Sequence, residues 1–185
     1  MGRLGIVLVG IGGQGILLAT RLLAELARRS GLAVMGAENH GMSQRGGSVV
    51  SHLKLGGFRS PLVREGTADV LLGLERTETM RALAFLRPGG LCLVNSEPEP
   101  WPAGIEQILR RARITTVTVP ADAVASDLGA PRVANTVLLA AAAAHALGPF
   151  TVDGLRRVVE DVSPARFLEA NLQALEAGAA AVAAK

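Results

Sequence analysis

Residues 4–29 read LGIVLVGIGGQGILLATRLLAELARR, an apolar block that runs through a glycine turn into an amphipathic stretch. The block 4–9 has the length and continuity of a buried strand. In 15–29 the apolar Ile16, Ala19, Leu22, Leu23 and Leu26 recur every three or four residues, which predicts a helix with Arg21, Glu25 and Arg28 on its other face. Between strand and helix, Gly10, Gly12 and Gly15 match G-x-G-x-x-G, the spacing of a dinucleotide-binding fingerprint. The exposed amides of Gly10, Gly12, Gly13 and Gly15 at a helix start favour an anion, usually a phosphate. The same glycines equally permit a tight strand–helix joint. Gln14 is the one side chain of the turn that both donates and accepts, so it orients a ligand or ties down a neighbouring loop.

A dinucleotide fold requires more than glycines. An acid about 20 residues on should close the second strand, and Glu38, at the end of LAVMGAE (32–38), satisfies that. The next strand, SVVSHLKL (48–55), should then follow a crossover helix. Only NHGMSQRGG (39–47) intervenes, whereas a parallel crossover takes a dozen or more residues. The two strands therefore pair antiparallel, or the second reaches another part of the sheet. Either way the sheet is of mixed direction and the mononucleotide-binding unit is broken. A stand-alone nicotinamide- or flavin-binding oxidoreductase is the alternative reading, and this break counts against it.

Further strands fall at 68–75, 91–95 and 114–120, with a helix over RTETMRALAFL that stops at RPGG. NSEPEPWPAG (95–104) reads as an extended loop because of its prolines. From 121 onward the pattern is helical: ADAVASDL, ANTVLLAAAAAHAL, TVDGLRRVVEDV and a last helix capped by Ser163. The whole predicts one three-layer α/β/α, Rossmann-like domain over residues 1–185, with a mixed sheet and a helical C-terminal part.

Composition narrows the function classes. The chain has 185 residues, 49% of them hydrophobic, yet no run long enough to span a bilayer; His145 interrupts the alanine-rich stretch. The N-terminus has no cleavable signal pattern, so a cytoplasmic protein is expected, with apolar surface buried against partners. One cysteine, Cys92 within LCLVN, excludes an internal disulfide and a self-contained iron–sulfur or structural zinc site; core packing is its expected role. Net charge is +3, and the cluster Arg110, Arg111 and Arg113 has no interleaved aromatics, so nucleic acid is not an expected partner.

The segment His40-Gly41-Met42-Ser43-Gln44-Arg45-Gly46-Gly47-Ser48 packs a ring, hydroxyls, an amide and a guanidinium among glycines, as loops that carry chemistry do. Arg45 can grip a phosphate or carboxylate with two hydrogen bonds; its structural alternative is a tie to a carbonyl or to Glu38. His40 is an ordinary loop histidine or a ligand contact. Asn135 opens an apolar helix just after Arg132, as a cap or as a polar contact to a ligand. His52 and His145 are expected to be hydrogen-bonded structural residues. Trp101 is a flap over the core or an interface anchor.

GIGGQG followed by AENHGMSQRGGSVVSHLKLG resembles the gamma-type subunit of the 2-oxoacid:ferredoxin oxidoreductases. The likeness is closer to the small subunit of the indolepyruvate type, in which HGM-x-QRGGSVVSH is typical. It continues through LRPGGLCLVN and PRVANTVLLAAAA, covering most of residues 4–147. The resemblance implies oxidative decarboxylation of a 2-oxo acid to an acyl-CoA, with electrons passed to ferredoxin. Thiamine diphosphate, magnesium and [4Fe–4S] clusters would then sit on a large partner subunit, since the Gly-Asp-Gly…Asn-Asn thiamine segment and cluster cysteines are missing here. It implies no catalytic residue in this chain and a contribution to the coenzyme A site. The implied site comprises Gly10, Gly12, Gly13, Gln14 and Gly15, with His40, Gln44, Arg45, Gly46, Gly47 and Asn135.

Overall fold

The fold is built outward from β1 (Leu4–Ile11), whose Ile6 and Leu8 enter one apolar cluster while Val7 and Val9 enter another. A strand buried on both faces must be apolar at successive positions, which is why this block shows no alternation. The structure is a computed structural model describing residues 2–40, 47–145 and 150–183, without the side chains of Asn39, His40 and Ala183. Gln44, Arg45 and Gly46 thus lie outside the described residues, and His40 is described by its backbone alone.

After β1 come α1 (Ile16–Arg29), β2 (Val34–His40), β3 (Ser48–Leu55), β4 (Ala68–Gly73), α2 (Arg76–Ala82) and β5 (Leu86–Asn95). Then follow α3 (Ala103–Arg111), β6 (Thr115–Val119), α4 (Ala121–Asp127), α5 (Ala134–Ala144), α6 (Val152–Val162) and α7 (Ala165–Ala183). The sheet order is β2-β3-β1-β4-β5-β6. β3 pairs antiparallel with β1 and with β2, while β1, β4, β5 and β6 are mutually parallel. The mixed sheet expected from the short 39–47 connection is what forms.

One face of the sheet carries α1 and α4–α7 around Leu22, Leu138 and Leu175; the other carries α2 and α3 around Leu71, Ala82 and Leu109. Each fully buried Leu or Val stabilises by roughly 1.5–3 kcal/mol relative to exposure, so the two clusters are the main favourable term. α5 is buried from Ala134 to Ala143, and its alanines let α7 approach closely.

Two elements differ from expectation. RPGG does not stop the preceding helix, which ends at Ala82 and passes through a 3-10 turn, Leu83–Phe85. Arg87, Pro88, Gly89 and Gly90 lie instead inside β5, where the pairing with β4 shifts register from Ala68↔Leu86 to Val70↔Leu91. α3 was hidden by the prolines just before it, yet Ile105, Ile108 and Leu109 have helical spacing, and Leu109 is buried. Trp101 lies half-buried as a flap over the α2/α3 side, with the Arg76 guanidinium 4.4 Å from its ring centre.

Candidate functional site

β1 sends the chain to one face of the sheet through α1, and β4 sends it to the other through α2. The carboxyl ends of these two parallel neighbours therefore form a topological switch point, where open α/β sheets place their ligands. The glycine turn, residues 12–15, lies on that rim.

Gln14 spans the switch point. Its Oε1 accepts from the Ile11 amide at 2.9 Å, and its Nε2 donates to the Leu74 carbonyl at 3.1 Å. Asn95 Nδ2 donates to that same carbonyl at 3.2 Å. A Cβ on Gly10 would collide with Gln14 Oε1, so the first glycine of the motif makes room for this tie. Of the two roles open to Gln14, the structure displays the tie, between the ends of β1 and β4.

The turn itself is left with donors. The Gly12 amide donates to the Gly47 carbonyl at 2.9 Å. The amides of Gly13, Gly15, Ile16 and Leu17 have no hydrogen-bond acceptor among the described residues, and no side chain caps α1. Four amides at the positive end of a 14-residue helix are thus left as donors, the arrangement that favours an anion at helix starts. Gly13 and Gly15 hold φ of 106° and 78°, which a glycine adopts without strain.

Two concavities flank the turn. One, of about 310 Å³, is lined by Gly12, Gly13, Ile16, Leu17 and Val49. The other, of about 430 Å³, is lined by Gly13, Gly15, Arg132, Asn135, Phe167 and Asn171. Asn135 does not cap α5: it is buried inside the helix, its Nδ2 donates to the Gly15 carbonyl at 3.2 Å, and its Oδ1 accepts from the Thr136 amide. Thr136 Oγ1 donates to Asn171 Oδ1 at 2.7 Å, and Asn171 Nδ2 donates to the Phe167 carbonyl. A buried polar chain thus fixes the turn against α5 and α7. Arg132, in the 3-10 turn Pro131–Val133, is exposed and has no ion pair or hydrogen bond with the described residues. Phe167 and Asn171 were missed in the sequence; the signal was a lone asparagine at 171 in an otherwise apolar helical stripe.

The 39–48 connection returns to the same rim. Gly47 is bonded to Gly12, and Ser48 Oγ donates to Glu78 Oε2 at 2.7 Å, whose other oxygen pairs with Arg81. Thus the Gly47–Ser48 end of the connection adjoins the glycine turn. His40, by contrast, pairs with Val49, which pairs with Gly10, so β3 lies between His40 and β1. Gln44, Arg45 and Gly46 are outside the described residues.

The acid of the dinucleotide pattern does not join this site. Glu38 pairs with Ser51, which pairs with Leu8, so a whole strand separates it from β1, about 10 Å at two strand spacings. In a dinucleotide fold the acid-bearing strand adjoins the glycine strand. Insertion of β3 removes that geometry.

Nor is there cluster chemistry in the cysteine. Cys92 is buried in β5, and burial pushes its thiol up to about 12, so it supplies no thiolate. Among the described residues no group of three or more His, Cys, Asp or Glu could hold a metal ion. His52 is buried against Phe85 with Nδ1 unpartnered, contrary to the hydrogen bond expected there. His145 is exposed just after α5, and its side chain makes no hydrogen bond to the described residues.

A family model described as pyruvate ferredoxin/flavodoxin oxidoreductase matches residues 5–181. The indolepyruvate oxidoreductase subunit IorB of Archaeoglobus fulgidus is 35% identical over 188 residues, covering 95% of this chain and 94% of its own. Among solved structures, the gamma subunit of a keto/oxoacid ferredoxin oxidoreductase from Geobacter sulfurreducens has a TM-score of 0.76 at 26% identity, covering 98% of this chain and 99% of its own. A 2-oxoglutarate:ferredoxin oxidoreductase from Magnetococcus marinus shares the fold at a TM-score of 0.78 and 22% identity; all of this chain aligns with 32% of that longer one.

Proposed function

This chain belongs to the pyruvate ferredoxin/flavodoxin oxidoreductase family, and we propose that it is the small subunit of an indolepyruvate, or arylpyruvate, ferredoxin oxidoreductase. The complex converts the 2-oxo acid to its acyl-CoA and passes the electrons to ferredoxin. Residues 1–185 act as one domain in the cytoplasm. No helix among the described residues is long and apolar enough to cross a membrane. The chain makes and breaks no bonds itself. Thiamine diphosphate, magnesium and the [4Fe–4S] clusters reside on a large partner subunit, which also meets ferredoxin; a single buried thiol does not fit a cluster.

The observation that carries the reading is the set of four unengaged amides beside an unpaired Arg132, between two concavities. This is the chemistry of a phosphate cradle, and coenzyme A brings phosphates together with a long, largely apolar tail. Gly13, Gly15, Ile16 and Leu17 present the amides, Gly12 ties the turn to the Gly47 carbonyl, Gly10 and Gln14 keep the turn in place, and Asn135 holds Gly15. His40, Gln44, Arg45, Gly46 and Gly47 complete the site from the 39–48 connection, with Arg45 as a second cation for the phosphates. The domain also braces the thiamine domains of the partner.

Co-expression with the partner tests this. The purified complex is expected to be brown and to reduce ferredoxin in the presence of an arylpyruvate and coenzyme A, while the isolated chain is inactive. Failure to capture a thiamine-bearing partner, or nicotinamide-dependent activity of the chain alone, overturns the reading. Preference for pyruvate or 2-oxoglutarate overturns its substrate.

A further inference from the structure

At the end of the sheet away from the glycine turn, the chain is strongly cationic. Residues 2–4, 54–69, 84–89 and 109–115 close this end beneath β3, β1, β4, β5 and β6. They carry eight cations and two acids, a net of +6; the other residues, with eleven cations and fourteen acids, sum to −3. The segments form one surface. Gly66 donates to the Ala84 carbonyl and Gly89 to that of Ala112, both at 2.8 Å, and Arg3 reaches the Gly57 carbonyl at 3.2 Å. Folding therefore joins Arg64 and Arg87 to the local cluster Arg110, Arg111 and Arg113.

Of the arginines elsewhere, Arg28 and Arg29 are matched by Glu25, Arg81 by Glu78 and Arg156 by Glu176, whereas Arg132, beside the glycine turn, stands unpaired among the described residues. Here Asp69 is consumed by Arg87 and by the Gly5 amide. Arg59, Arg64, Arg111 and Arg113 are exposed and have no carboxylate partner among the described residues. Leu62, 48% exposed, adds an apolar anchor within the same surface.

Arg113 points most sharply to a role beyond folding. It sits just past the end of α3, where its amide bonds to the Arg110 carbonyl and that of Ile114 to Leu109. The backbone there is left-handed, with φ of 53°, the only positive value at a non-glycine position among the described residues. Glycine is the usual occupant of this helix-end position, and arginine is strained there. The arginine also adds a charge to a surface already crowded with like charge, so backbone strain and repulsion both oppose stability.

We propose that this end of the sheet is the docking face for an acidic surface on the large partner subunit, an inference that rests on the subunit reading above. Unpaired guanidinium forks match carboxylates with two hydrogen bonds each, and their charge steers association. The face lies opposite the glycine turn, so docking here leaves the phosphate cradle open.

The test uses the full chain co-expressed with that subunit. In Arg113→Gly the backbone strain is released and a charge removed, so the isolated chain should melt at a higher temperature. Association should nevertheless weaken by about threefold, as for loss of a rim charge. The triple variant Arg64→Glu/Arg111→Glu/Arg113→Glu should weaken association by about a hundredfold, and Arg157→Glu, on α6, should not change it. Raised salt should weaken the wild-type complex and leave the residual binding of the triple variant little altered. If the wild type assembles and the triple variant assembles equally well, the docking face is wrong while the subunit reading stands. Failure of the wild type to assemble overturns both. Retention of nucleic acid through these residues, with partner binding unchanged, also overturns it.

Discussion

The Asn135 side-chain amide donates to the Gly15 carbonyl at 3.2 Å and also occupies the space into which a Gly15 Cβ would project. One asparagine thus both anchors the turn and restricts its residue to glycine. Gly15→Ala incurs a left-handed backbone cost of about 1–2 kcal/mol, and the clash with Asn135 adds to it. At Gly13, where φ is 106° but a Cβ meets nothing within 4 Å, only the backbone cost applies. Urea unfolding should show Gly15→Ala as the more damaging of the two; equal losses would remove Asn135 from the account.

A second expectation concerns Gly178. A Cβ there would strike the Val137 carbonyl and lie 2.9 Å from Ala140 Cβ, where α7 meets α5. Alanine gains about 1 kcal/mol in helix propensity, but overpacking typically costs about 1–3 kcal/mol. The clash here is with backbone, so it should win, and Gly178→Ala should lower the melting temperature. A rise would mean that the two helices separate readily.

The third is a pH effect. Burial and the nearby Lys54 hold the His52 imidazole below its ordinary value. A histidine that is harder to protonate when folded stabilises fully above the unfolded value, near 6.5, and that contribution is lost as pH falls below it. His52→Leu removes the titration and the unpartnered Nδ1 together. The wild type should therefore lose more stability than the variant on going from about pH 8 to about pH 5. Parallel losses in urea titrations would refute this.

Fourth, if phosphates lie at the turn, Arg132→Ala and Arg45→Lys should each raise the coenzyme A requirement of the reconstituted complex, leaving decarboxylation and melting temperature largely unchanged. The lysine keeps charge but loses the planar fork. A uniform fall in every activity would instead make these arginines structural.

The strands, α1 and the mixed sheet were legible because period and connection length are local properties: nine residues cannot hold a crossover helix wherever the strands finally lie. RPGG misled because glycine and proline mark a helix end and a bulged strand alike, and only pairing with β4 decides between them. The site was half legible. Four glycines announced the turn, but the contact that fixes it joins Gly15 to Asn135 across 120 residues, and no local pattern encodes such a meeting. The cationic end was legible only as Arg110, Arg111 and Arg113, since Arg64 and Arg87 join them through the packing of separate loops.

The antiparallel placement of β3 also bears on how the chain is assembled during synthesis. By Leu55, three adjacent strands and α1 have emerged, and β2 and β3 pair as a local hairpin. Hairpins close within about 1–10 μs, far ahead of translation. The nascent chain can thus organise the half of the sheet beside the glycine turn before β4 exists. A fold with a crossover helix in place of the hairpin would have to wait longer for its third strand. Hydrogen exchange on stalled nascent chains should register protection in β3 before β5 has left the ribosome.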